Sequence, residues 1–178
     1  DVLSPKSLVT ADVTISVIFH CTTYTGSYQC LYDKGQSGGS DSTRELFLSF
    51  NTSNQISYCN VGSQQIAWPY PVPAVAGQVY HQVFQRKKQT RYVYYDGRYL
   101  TTSGSDNFIS IGVTAQAAYP IAFGRNSTGG GSNFGGTFYH MAVWTRALTN
   151  PEIEDLYEDP YLLLRKNRNF YLYLPSGS

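Results

Sequence analysis

The reading of the fold turns on FGGTFYHMAVWTRALTNPEIEDLYEDPYLLL, residues Phe134 to Leu164. Within it Glu152, Glu154, Asp155, Glu158 and Asp159 place five acids in eight positions of a chain that is only 14% charged. Paired carboxylates are what a retaining glycoside hydrolase needs, about 5–5.5 Å apart and facing one sugar. On a strand, residues at i and i+2 share a face and supply such a pair. The local chemistry points to a helix instead. Thr149 followed three residues later by Glu152 is a capping box, and Pro151 falls in the first turn, where its missing N–H costs nothing. Ile153, Leu156 and Tyr157 then form one apolar stripe, and the acids point elsewhere. Early acids also suit the positive end of the helix dipole. Pro160 closes the segment. The cluster therefore reads as structural, and the chain as non-catalytic.

Upstream of this helix, period-two alternation dominates. Val13, Ile15, Val17 and Phe19 share a face in VTISVIFH, as do Leu46, Leu48 and Phe50 in ELFLSFN. QISYCNV, VYHQVFQ, RYVYYDGRYLTT, FISIGV, YPIAFG and GTFYHMAVW continue the series. Asp96-Gly97 is a two-residue hairpin signal, because both positions need positive φ. Short strands at turn intervals of roughly 8–12 residues predict an all-β antiparallel sandwich. One such domain accommodates the 178 residues, with a core from about 7 to 161 and an aromatic, basic extension from 162 to 178. AWPYPVP reads as a proline-rich crossover. QSGGSDS and NSTGGGSN read as rim loops without a phosphate-binding pattern.

A net charge of +1 gives no bulk attraction for nucleic acid or an anionic membrane. The basic run Arg86 to Arg91 reads as a solvated hairpin loop. No stretch approaches the ~18 apolar residues of a membrane span. The chain opens on Asp1 without the basic start and apolar run of a secretory signal, which suits a fragment or processed product. Cys21, Cys30 and Cys59 lack metal spacing and read as buried thiols, with one disulfide left open. His20, His81 and His140 each sit in an alternating strand, as core or sheet-surface residues. No GxSxG elbow or HExxH zinc pattern occurs. No cofactor is expected. Calcium stays open, since Asp33, Asp41, Asp106 and Asn107 read as loop or strand-end oxygen donors.

These pieces together carry a family resemblance. GGTFYHMAVWTRALTNPEIEDLYEDPY resembles the closing motif of laminin G-like domains in the concanavalin A-like lectin/glucanase superfamily. In that motif a glycine-led strand (Phe138, Met141, Val143, Trp144) enters an Arg-Ala-Leu corner at Arg146 to Leu148, and a short helix follows. VTISVIFH, LYDKG, ELFLSF, YVYYDGRYL and IAFGRN occur in the family's order and spacing, so the resemblance covers roughly Ser7 to Tyr161. Tyr80 stands where the family often has tryptophan, and the first strand before Ser7 looks short or missing. The tail, EDPYLLLRKNRNFYLYLP, resembles the endings of such domains in tailed bacteriophages and prophages. The resemblance implies a jelly roll on the virion surface, as capsid decoration, head fibre or tail fibre. It further implies other virion proteins as partners, and a homo-oligomer, with a trimer expected.

For a glycan on a cell surface, an aromatic platform with amides is the requirement. Trp68, Tyr70, Tyr119, Asn126 and Asn133 are the candidates. Phe170, Tyr171 and Tyr173 in the tail are the candidate interface, unless they form one more strand of the same sandwich. Two other functions stay in view. A carbohydrate-active enzyme of the glucanase branch would need alternating acids on a strand. A calcium-dependent extracellular adhesion domain would show a disulfide or glycosylated Asn51 and Asn126.

Overall fold

Alternation along the chain is realised as two antiparallel sheets. The computed structural model describes residues 12–22, 28–35, 44–51, 56–61, 64–69, 77–88, 90–105, 121–125 and 133–162. In chain order the strands are β1 (Val13–Cys21), β2 (Tyr28–Gly35), β3 (Arg44–Asn51), β4 (Ile56–Val61) and β5 (Gln64–Pro69), then β6 (Val79–Lys87), β7 (Thr90–Tyr95), β8 (Arg98–Ser105), β9 (Ile121–Phe123) and β10 (Gly136–Trp144). A helix, α1 (Asn150–Glu158), follows. One sheet runs β10-β1-β6-β7-β8 and the other β5-β4-β3-β2-β9. No described helix is long and apolar enough to cross a membrane. FISIGV lies outside the described residues.

The core between the sheets is what the alternation predicts. Val13, Ile15, Val17 and Phe19 of β1 are buried with Tyr32, Leu46, Leu48, Tyr80, Phe84 and Val93. The tyrosine at position 80, in place of a tryptophan, packs its ring on Phe19 and Tyr95. At the β7–β8 turn Asp96 and Gly97 both have positive φ, 46° and 76°, as the hairpin requires.

Alternation fails on β1 and β6, where both faces are buried. Helix α1 explains this. It lies on the outer face of the first sheet, where Ile153, Leu156 and Leu148 form a second cluster with Val83 and Tyr94. The Arg-Ala-Leu corner is fastened by polar atoms of the same face. Thr14 Oγ1 accepts from Leu148 N (3.0 Å) and donates to the Arg146 carbonyl (2.9 Å). The Gln85 amide donates to the Leu148 carbonyl at 2.6 Å. Buried polar groups are tolerated where partners are supplied in this way.

Four sequence expectations are corrected. Ala67–Pro69, the start of the segment read as a crossover, is instead the end of strand β5 (Gln64–Pro69), paired with β4; among the described residues this strand is an edge, where a terminal proline removes no needed donor, and residues 70–73 lie outside the described residues. Arg86 and Arg91 do not lie in a solvated loop. They sit opposite each other on β6 and β7, with Val13 facing Arg86 from β1, and are 2% and 1% exposed. Of the described residues between them, the lysines at 87 and 88 are exposed. Asp33 is buried within β2 and not at a loop. Finally, β10 carries a bulge: Ile18 faces His140 while Phe19 faces Phe138, so Tyr139 is the extra residue. The bulge turns Phe138 to the core and His140 to the outer face. Cys21 and Cys30 are buried thiols, as expected.

Candidate binding cleft

The acids of the opening stretch are accounted for first. The helix starts at its predicted cap, with Glu152 N donating to Thr149 Oγ1 and Thr149 N to Glu152 Oε2 (2.8 Å). Arg146 forks onto the same carboxylate at 2.7 and 3.0 Å. This ion pair, with the Thr149 donors, holds Glu152 down to about 2. Glu154 and Glu158 are exposed on the helix surface. These carboxylates fan round a cylinder instead of lining a groove.

A cleft of about 500 Å³ opens at the other end of the helix's footprint, beside the β7–β8 turn. Its polar lining is Gln78, Asp96 and Arg98, and its apolar lining Tyr95, Tyr99, Leu100 and Tyr157. Two neighbouring facts fix its shape. Gly97 fits against Tyr157 so closely that a Cβ there would lie 2.9 Å from the tyrosine's own Cβ. Its φ of 76° equally disfavours a side chain. Opposite, Tyr157 stacks flat on the His81 ring, with centroids 5.9 Å apart and planes 4° apart. Tyr99 is held edge-on by Tyr94 at 5.7 Å.

His81 is the joint under both walls. Its backbone N–H donates to Asp96 Oδ1 (3.0 Å), and Asp96 N donates back to the His81 carbonyl (2.9 Å). Its Nε2 lies 2.8 Å from Ser16 Oγ, and its Nδ1 is buried without a hydrogen-bond partner. Burial, and then the nearby His140, push His81 down to about 4. Burial likewise lowers His140, whose ring meets Tyr161 edge-on. The Asp96 carboxyl is raised by its partial burial, against the opposing pull of the His81 N–H and of Arg98. The cleft thus offers tyrosine faces, one carboxylate and one guanidinium within a single concavity. That is the mixture of apolar area and few convergent polar groups that small-ligand sites use.

The candidates drawn from sequence are not gathered there. Trp68 lies in β5, in register with Ser57 at one edge of the second sheet. Asn133 is exposed beside the other edge, next to Phe134, whose N–H donates to the Gly124 carbonyl just after β9. Three strands separate those edges, roughly 19 Å at the usual strand spacing. Tyr70, Tyr119, Asn126, Phe170, Tyr171 and Tyr173 lie outside the described residues, as do Asp41, Asp106 and Asn107. No group of three metal-ligating side chains occurs among the described residues. The sequence did signal part of the cleft: YVYYDGRYL is unusually dense in tyrosine around its turn. Nothing local to that segment announces Tyr157.

Comparison with known proteins fits this architecture. A family model of the concanavalin A-like lectin/glucanases superfamily matches residues 2–154. The chain belongs to that superfamily. No curated protein matches it in sequence. Among solved structures, the sialidase of Trypanosoma rangeli in complex with the inhibitor DANA superposes with a TM-score of 0.62 at 20% identity. It covers 84% of this chain, which spans only 23% of the sialidase. The CBM40 of the Ruminococcus gnavus IT-sialidase bound to α2,6-sialyllactose reaches 0.67 at 13% identity, covering 85% of this chain and 90% of its own. A heptameric SAP-like pentraxin from Limulus polyphemus reaches 0.61 at 16%, covering 83% and 70%. At such identities the likeness establishes a shared lectin-like sandwich and stops there.

Proposed function

We propose that this superfamily member is a non-catalytic glycan-binding module displayed on a virus particle, and that the cleft beside the β7–β8 turn is its glycan site. The cleft carries the reading. Tyr99 and Tyr157, each about half exposed, supply aromatic area for sugar rings, and Asp96 and Arg98 supply hydrogen-bonding groups for hydroxyls or a carboxylate. The wall and the turn are locked together by His81 before any ligand arrives, so little ordering is left for binding to accomplish. Support for the ligand class comes from the superfamily and from a structural neighbour bound to sialyllactose.

Titration of the purified chain with a panel of neutral oligosaccharides and sialyllactose, followed by NMR, tests this. Saturable shifts in the cleft are expected, and Tyr99→Ala should weaken binding about tenfold, equivalent to about 1.4 kcal/mol. Tyr99 is half exposed and outside the core, so the variant should stay folded. Binding that survives Tyr99→Ala and vanishes in Trp68→Ala would move the site to the β5 edge.

The virion reading rests on the tail, whose proline-aromatic start and basic, aromatic run resemble the ends of phage virion domains. In that setting attachment to other virion proteins would use aromatic area and backbone pairing. Mass spectrometry of density-purified particles from the source of this sequence is expected to find the chain at a stoichiometry fixed relative to the major capsid protein. Its absence from washed particles would overturn that part of the reading.

A further inference from the structure

The three histidines of the chain gather on the outer face of the first sheet, where α1 ends. Ile18 of β1 faces His140 on one side and His81 on the other, and His20 follows it on the same face. Each ring meets a tyrosine that is about half exposed. Tyr139 lies over His20 (centroids 5.9 Å), Tyr161 sits edge-on to His140 (5.7 Å) and Tyr157 is stacked flat on His81 (5.9 Å). Each ring also has a buried nitrogen without a hydrogen-bond partner, Nδ1 in His20 and His81 and Nε2 in His140. Charged groups surround the patch without touching the imidazoles. Asp96 accepts from the His81 backbone N–H and Asp159 from Tyr161 N. Among the described residues neither these acids, nor Asp155 and Glu158 of α1, nor Arg98 of the turn bonds to a histidine ring. The one polar contact of the His81 ring is Ser16 Oγ of β1.

We propose that this face is an acid-operated switch: protonation of His81 unstacks Tyr157, frees the end of α1 and opens that wall of the cleft. A proton on Nδ1 makes a buried donor with no acceptor, and a second charge on the nearby His140 would repel it. The sheet closes one face of the ring and Tyr157 the other, so Tyr157 is the part that yields. Beyond it, Glu158 to Leu162 include no buried residue, whereas Ile153 and Leu156 keep the earlier turns seated. A short segment with little buried area opens without the rest of the domain. The sign follows from linkage. The stacked ring refuses the proton until about 4, while a ring open to water titrates at the ordinary 6.5. Stacking is therefore fully favoured above 6.5, and acidification from pH 7 to pH 4 multiplies the open-to-stacked ratio by about a hundred. The consequence rests on the cleft being the glycan site: a ligand held at neutral pH is let go in acid.

NMR of the full chain, with its histidine and tyrosine rings labelled, tests the switch between pH 7.5 and pH 4. The Tyr157 ring signals are expected to move to unstacked positions along the titration curve of His81, while the methyls of Val17 and Leu48 in the core stay native. His81→Gln should hold Tyr157 at its neutral-pH position throughout. His140→Gln should keep the transition and move it to higher pH, because the repelling charge is gone. Three results would overturn the switch: a Tyr157 ring that stays still while His81 titrates, one that moves together with the core methyls, or a transition that survives His81→Gln. Tighter packing of Tyr157 in acid, as attraction of the imidazolium to the carbonyl end of α1 would produce, overturns it too. Sialyllactose titrated at pH 7 and pH 4.5 reads the release, and its affinity should fall along the same curve. Equal affinity at the two values would overturn the release. No binding at either would count against the glycan site alone, and the ring signals would still decide the switch.

Discussion

Acidification from pH 7 to pH 4 is expected to remove about 3 kcal/mol of stability through His81 alone. The folded protein holds this imidazole down to about 4, against its ordinary 6.5, because the ring is buried under Tyr157 and near His140. The unfolded chain therefore takes up a proton that the folded chain refuses. The contribution is fully present above 6.5 and is lost as pH falls towards 4. A charged ring stacked on Tyr157 would gain a cation–π attraction of about 1–2 kcal/mol. That is smaller than the desolvation it opposes, and Nδ1–H would become a buried donor with nowhere to go. His140 titrates in the same sense, whereas the raised carboxyl of Asp96 works in the opposite one. Glu152 adds a loss only below its ordinary 4.5, as pH approaches about 2. Urea denaturation between pH 7.5 and 4.5 thus keeps Glu152 out of the measured loss. His81→Gln should flatten that part of the curve relative to the parent. Parallel curves for the two proteins would show that His81 is not the group responsible.

Leu156→Ala is expected to cost about 3–4 kcal/mol, the range for deleting a fully buried leucine where the surroundings relax only partly. Leu156 is completely buried in the cluster of Ile153, Leu148, Val83 and Tyr94 that seats α1 on the first sheet. Its neighbour Tyr157 forms a wall of the cleft, so the same change should loosen that wall and weaken any ligand bound there. Glu154→Ala, two residues away on the exposed face, should alter stability by no more than about 0.5 kcal/mol. Paired denaturation curves of the two variants decide whether the helix is held by its apolar stripe. A Glu154→Ala loss comparable to that of Leu156→Ala would return the acid cluster to functional standing.

Local chemistry was enough for much of the fold. Thr149, Pro151 and Glu152 specify where α1 begins, because a cap is an interaction within three residues. Asp96-Gly97 specifies a hairpin, because positive φ at both positions is a property of those two residues. The inward faces of β1 and β3 follow from alternation, since one face of each must be apolar. The failures share a cause as well. Arg86 and Arg91 read as solvated because charge usually is, and only the assembled sandwich buries their strands on both sides. AWPYPVP reads as a crossover because its prolines mask a strand end, Ala67–Pro69, that is stabilised by pairing with β4 rather than by its own propensity.

The site divides in the same way. Trp68 and Asn133 were grouped by residue type, and strand order sets them at opposite edges of one sheet. The cleft joins Tyr95 and Tyr99 to Tyr157, some sixty positions along the chain. By itself, then, the sequence determined an all-β sandwich, its capped helix and its hairpin, since these depend on contacts between near neighbours and on periodicity. Only the tertiary structure decided which aromatic residues meet in a concavity and which strands end each sheet among the described residues. Those depend on sheet order and on a bulge at Tyr139, which arise from packing between distant strands and leave no local mark.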